Sequence, residues 1–255
     1  MAAEARARRG RGSGFVLLAG LLLLWEWSAR SWVDSTNWPP VTEVAVALVR
    51  CLSTSELPLA LGSSLYRMAV GFAVGSVVAV LLGVLMARSR WVRAALEPVL
   101  ELLRPIPIPA IVPPLILLLG IDDAMKIFVV GFAVFFPVLL NTTAGVRSVD
   151  TVQLDLARTF QYGALRTAWR VVLPASLPYV LAGMRVSLAL ALIVTVVSEM
   201  IAGSEGIGYY LVTMQYAMRA GDMYASIFLL AATGYGLNRA ILALEYRVLH
   251  WFHRR

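Results

Sequence analysis

The chain has 255 residues, 60% of them hydrophobic, a formal net charge of +7 and one cysteine, Cys51. So apolar a composition excludes an ordinary soluble domain and makes lipid the solvent for most of the surface. A single cysteine excludes an internal disulfide and a thiolate metal cluster within one chain, and basic residues placed between apolar runs indicate membrane orientation rather than nucleic-acid binding.

In chain order, a basic stretch over residues 1–14 carries Arg6, Arg8, Arg9 and Arg11 ahead of the first apolar run. Glu26, Trp27 and Arg30 stand where a signal peptidase would need small residues, so this run is expected to be an uncleaved anchor. Crossing the hydrocarbon takes about 20 apolar residues. Candidate spans are Phe15–Trp32, Leu65–Ala87, Val99–Gly120, Ala124–Gly145, Tyr179–Ile201 and Tyr224–Leu249, within a single transmembrane domain over 15–255. The longer excursions are Val33–Ser64, Arg147–Leu177 and Ala202–Met223. Arginines before the first span, after the second (Arg88, Arg90, Arg93), after the fourth (Arg147, Arg158, Arg166, Arg170) and at the end (Arg247, Arg254, Arg255) all fall on one side. That side is expected to be cytoplasmic, with both termini inside; Arg30, Arg50 and Arg219 are exceptions.

Several residues stand out within the spans. Gly71, Gly75, Ala79 and Gly83 form a small-residue stripe in the second, which reads first as static packing within the subunit. Gly183, Ser187, Ala191 and Thr195 form another in the fifth, expected at the pathway or a subunit junction. Pro105, Pro107, Pro109, Pro113 and Pro114 interrupt the third, as a break lining the pathway or as a packing kink. Arg67 and Glu199 are intramembrane charges expected to approach each other, or to find polar partners, at the outer gate. Thr233-Gly234-Tyr235-Gly236 lies inside an apolar run, unlike a channel filter, and His250 and His253 are too few for a metal site.

The polar stretch from Arg147 to Pro178 interrupts this pattern. Asp150-Thr151-Val152-Gln153 reads as a capping box, with Leu154, Ala157 and Phe160 following on one face. Gly163, able to take a positive φ, breaks the helix after Gln161-Tyr162; Leu165, Trp169 and Val172 then share a face until Pro174 ends the second helix. The result is a helical hairpin at the inner membrane surface. The competing reading is an amphipathic interfacial helix that merely rests on lipid.

The hairpin resembles the coupling loop of permease subunits of binding-protein-dependent ABC importers, whose pattern is Glu-Ala-Ala, three residues, Gly, nine residues, then Ile-x-Leu-Pro. Asp155-Leu156-Ala157 stands at the triplet and Val171-Val172-Leu173-Pro174 at the end, while Gln161 fills the glycine position. Ser64-Leu65-Tyr66-Arg67, Arg104-Pro105-Ile106-Pro107, the run from Gly120 to Phe128, the run from Phe136 to Thr142 and Ser198-Glu199-Met200-Ile201-Ala202-Gly203 with Gly206-Ile207-Gly208-Tyr209 extend the resemblance. They point to the nitrate, sulfonate and taurine branch. Leu118-Leu119 departs from the Trp-Phe common there.

The resemblance implies an all-α integral membrane protein of about six transmembrane helices, a type I ABC importer permease fold with cytoplasmic coupling helices. It implies a permease for a small anionic solute in a bacterial plasma (inner) membrane. Expected partners are ABC ATPase subunits, a second permease copy (a homodimer), an external solute-binding protein and the lipid bilayer. ATPase coupling would fall to Asp155, Leu156, Ala157, Arg158, Phe160, Gln161, Gly163, Leu173 and Pro174. The pathway or subunit junction would involve Pro109, Pro113, Asn141, Ser187, Ala191 and Thr195. No catalytic residue, metal or cofactor is expected on this chain. Lys126 is the only lysine, and Met125 and Ile127 flank it, so no P-loop is possible and ATP and Mg belong to the partner ATPase. A stand-alone secondary transporter or a non-transporting membrane scaffold are the competing classes.

Overall fold

A computed structural model describes the backbone of residues 2–33 and 35–250, and the side chains of 16–33 and 35–250. The side chains of Arg6, Arg8, Arg9 and Arg11, together with His253, Arg254 and Arg255, lie outside the described residues. Among those described, every regular element is helical. In order these are α1 (Ala2–Ser31), α2 (Val41–Ser53), α3 (Glu56–Arg88), α4 (Arg90–Leu103), α5 (Ile108–Leu119), α6 (Asp123–Arg147), α7 (Thr151–Thr159) and α8 (Ala164–Thr167). A π-helical turn over Ala168–Val172 leads into α9 (Leu173–Ala202), followed by α10 (Ile207–Tyr216) and α11 (Ala220–Val248). Among the described residues, four helical runs are long and apolar enough to cross a membrane: Glu56–Arg88, Asp123–Arg147, Ala164–Ala202 and Ala220–Val248. The first expected span lies on α1, part of whose side chains are not described.

The third expected span is not one helix. α4 and α5 meet at 100° across the Arg104–Pro107 link. Pro105 and Pro107 supply no N–H, and Pro107 caps α5 with extended backbone. The proline run therefore makes a break rather than a kink.

The chain divides into two compact units, Met1–Leu59 with Tyr210–Leu230 and Ala60–Tyr209 with Ala231–Arg255. In the first, Val44, Ala47 and Ala225 form a small core beside Trp25 and Tyr224. Trp25 packs on Trp38, Tyr224 and Phe228, and its Nε1 donates to the Pro39 carbonyl at 3.1 Å. Glu26, deep in an apolar run, pairs with Arg30 at 2.6 Å and accepts from Thr42.

The second unit is built on close helix approach. A Cβ on Gly75 would meet the Gly131 carbonyl at 2.5 Å, and one on Gly83 would meet Thr142 Cβ at 2.9 Å. The α3 stripe thus brings two backbones together inside this unit. The α9 stripe does the same. A Cβ on Gly183 would meet Asn141 Cβ at 2.8 Å, and Ser187 donates to the Val134 carbonyl at 3.1 Å. Ser187, Ala191 and Thr195 are fully buried. This corrects the expectation of a face at the pathway or junction, because residues small enough to line a path are also small enough to let α6 close over them. Val112, Val129, Val134, Val138 and Val194 fill the core between α3, α5, α6 and α9. Lower along α9, Arg185 pairs with Glu245 of α11.

Candidate functional site: the helical hairpin and a buried ionic cluster

The hairpin begins where Asp150, at the N-cap, accepts through Oδ1 from the N–H of Val152 at 2.9 Å, a single N-cap bond to the second helical residue. Its end is a Schellman closure: Tyr162 N–H donates to Ala157 O at 2.9 Å and Gln161 N–H to Arg158 O at 2.8 Å. That closure needs one left-handed residue, and it is Gln161, with φ 51°. Gly163 is instead the extended N-cap of α8, with φ −63° and ψ 163°. The glycine was expected to absorb the turn; the register of the closure puts the turn two residues earlier, at the position where the family pattern carries Gly.

Pro174 does not end the second helix either. The backbone runs on from Ala164 to Ala202 through the π-helical turn, in which Leu173 N–H donates to Ala168 O. An i→i+5 pattern lets carbonyls ahead of Pro174 pair past the residue that has no N–H. The hairpin's second limb is therefore continuous with a membrane-length helix.

Its two sides differ. Val146, Val149 and Val172 are buried with Leu154, Val84 and Ala87 around them, and Ala157 is 3% exposed. Phe160 and Trp169 are each 67% exposed, and Leu156 and Leu165 are exposed too. Phe160 was expected to share the face of Leu154 and Ala157, and Leu165 and Trp169 that of Val172. The Schellman turn and the wider π turn rotate them out. Asp155 and Arg158 pair on the surface at 2.8 Å. Leu173 and Pro174 continue into α9.

A second cluster lies where α3, α6 and the loop after α9 meet. Glu199, fully buried, accepts from Ser64 Oγ at 2.7 Å, Arg67 Nη1 at 2.9 Å and the Gly208 N–H at 3.1 Å. Arg67 also donates through Nε to Asp123 Oδ1 at 2.6 Å and through Nη1 to the Glu205 carbonyl at 3.1 Å. Ser64 Oγ accepts from the Ile207 N–H at 2.9 Å. Gly206 has φ +102°, and a Cβ there would collide with the Glu199 carboxyl. Arg67 and Glu199 each have partners on more than one element, as burial of a charge away from water requires.

Sequence reasoning alone left out Ser64, Asp123, Lys126 and Glu205 as members of this cluster. Lys126 is 1% exposed, in the field of Arg67, Asp123, Glu199 and Glu205. Their signal was present: Asp123 and Lys126 stand three apart at a helix start, and Glu205 adjoins Gly206. The broken span leaves Pro109 and Pro113 exposed, and Asn141 donates Nδ2 to Pro137 O at 2.8 Å. Among the described residues no group of His, Cys, Asp and Glu could hold a metal ion.

Residues 79–249 match the profile of the binding-protein-dependent transport system inner membrane component, and the chain belongs to that family. It is a multi-pass membrane permease subunit of an ABC importer. The putative aliphatic sulfonates transport permease protein SsuC of Bacillus subtilis (strain 168) is 31% identical over 96% of this chain and 90% of its own length. The taurine transport system permease protein TauC of Escherichia coli (strain K12) is 30% identical over 75% of this chain and 70% of its own. In fold, a chain of the inward-facing MetNI methionine ABC transporter superposes with a TM-score of 0.67 at 17% identity, covering 77% of this chain and 97% of that one.

Proposed function

We propose that this chain forms the translocation pathway of an ATP-driven importer for a small anionic solute, an aliphatic sulfonate, taurine, nitrate or a similar compound. The hairpin docks on a separate ATPase subunit and carries its closure into α9. The observation that supports this most is the hairpin's own asymmetry. Leu165 and Trp169 stand exposed on a limb that runs without a break into α9, Phe160 stands exposed at the turn before it, and Val172 on the same limb is buried against Val146 and Val149. Large apolar side chains held out from a rigid limb suit a protein partner.

In this reading two permease copies enclose the pathway, and the exposed prolines of α5 lie toward it. Both termini are cytoplasmic. An external solute-binding protein delivers the solute, so selectivity need not reside in the membrane. ATP and Mg act on the partner. Arg67 and Glu199 hold the outer gate by clamping the loop after α9 to α3.

Mild detergent purification followed by mass spectrometry of co-purifying chains tests the reading. A wild-type chain is expected to bring down an ATPase, and the combined change Asp155→Arg, Leu156→Arg and Ala157→Arg to lose it. A chain that purifies alone overturns the coupling reading in favour of a secondary transporter.

A further inference from the structure

Two arginines that run against the charge rule for orientation, Arg50 and Arg219, converge on one carboxylate. Arg50 Nη2 lies 2.5 Å from Asp222 Oδ1 and Arg219 Nη2 lies 2.5 Å from Asp222 Oδ2. Asp222 is 2% exposed and also accepts from the Cys51 thiol at 3.3 Å, so it is fully occupied. The guanidinium groups are not. Each has five N–H donors, and the two side chains remain 57% and 51% exposed. The trio keeps a charge of +1 with donors to spare.

These groups line a cavity of about 620 Å³ together with Trp38, Pro39 and Glu43. Arg219 is set in place by a left-handed Met218 (φ 56°), where Arg219 N–H donates to Met214 O at 3.0 Å and Met218 N–H to Gln215 O at 3.1 Å. Trp38 is fixed as a wall by Nε1 donating to Ser28 Oγ at 3.1 Å and by its packing on Trp25. Glu43 lies two helical turns before Arg50 on α2, on the same face. Its Oε1 is 3.4 Å from where a Cβ on Gly221 would be, beside the arginine turn. Among the described residues Glu43 makes no hydrogen bond or ion pair.

The cavity thus presents spare cationic donors, a carboxylate without a partner among the described residues and an aromatic wall. A plain anion would meet the repulsion of Glu43, and a plain cation that of the arginines. We propose that this cavity binds a small zwitterion, its oxyanion end on Arg50 and Arg219 and its ammonium end on Glu43. The volume suits a small organic solute. This goes beyond the coupling reading and does not rest on it.

Calorimetric titration of the full chain in lipid nanodiscs tests it, with 2-aminoethanesulfonate, ethanesulfonate and ethylamine as probes. The zwitterion is expected to bind roughly tenfold or more tighter than either single-charge probe, the scale of one added charge-assisted contact. Glu43→Gln, which disturbs no contact of the fold, is expected to bring 2-aminoethanesulfonate down to the affinity of ethanesulfonate. Arg219→Gln, which leaves Asp222 paired with Arg50, is expected to weaken both sulfonates and spare ethylamine. Equal affinity for the three probes, or an unchanged affinity in Glu43→Gln, overturns the proposal. Loss of ATPase capture in the hairpin variant would leave these titrations unaffected, so the two readings fail separately.

Discussion

At the scale of single residues, backbone conformation separates two positions that look alike in sequence. Gln161 holds a left-handed turn at a cost an L-residue pays and glycine does not, about 1 kcal/mol. Gln161→Gly is expected to raise stability by about 0.5 kcal/mol once the greater freedom of the unfolded chain is counted. Thermal unfolding in detergent checks this, and a lowered midpoint would mean the Gln161 side chain contributes a contact of its own. Gly206→Ala should act in the opposite sense. Its φ of +102° is strained for alanine, and the new Cβ would drive into the Glu199 carboxyl. A loss of about 3 kcal/mol is expected, from strain and a disturbed buried ion pair together. The same melting measurement decides it; a near-neutral result would show that Glu199 has room to move.

At the scale of elements, the packing of α3 on α6 rests on absent side chains. Gly75→Val is expected to cost about 2 to 3 kcal/mol, because its Cβ would overlap the Gly131 carbonyl and push two backbones apart. Gly62→Ala on the same helix meets nothing within 4 Å and is expected to be neutral or to gain a few tenths of a kcal/mol from helix propensity. Resistance to unfolding in a graded detergent series compares the two; equal effects would remove close approach as the explanation. The two stripes were legible in the sequence as small residues four apart. Which neighbour each stripe faced was not, because spacing along one helix carries no information about the helix opposite. The 100° break was legible as five prolines, but break and kink differ only in how the flanking helices are then packed.

At the scale of the whole molecule, Cys51 is a built-in control for topology. It is buried, its Sγ lies 3.4 Å from the Tyr210 hydroxyl, and burial pushes its thiol above the ordinary range. Burial likewise raises the Tyr210 phenol. The thiolate is the reactive form, so a raised value means a smaller reactive fraction at neutral pH. Maleimide labelling of the native chain is therefore expected to stay low through neutral pH and to rise only at more alkaline pH than for a free thiol. Denaturation should remove the difference. Against that silent background, a cysteine at the exposed Leu165 is expected to label in inside-out vesicles and not in right-side-out ones. The reverse pattern would invert the orientation read from the arginines.

The sequence by itself determined the class of protein. Hydropathy is a property of composition over about 20 residues, and the motif spacing of the hairpin is local too, so both survive without any knowledge of folding partners. Tertiary structure alone decided the rest. Arg67 and Glu199 are separated by 132 residues, and Arg50 and Asp222 by 172. Nothing in the chain order says which of several intramembrane charges will meet. That choice belongs to helix register, where one turn moves a side chain by about 5.4 Å and decides whether a buried charge is paired or left alone.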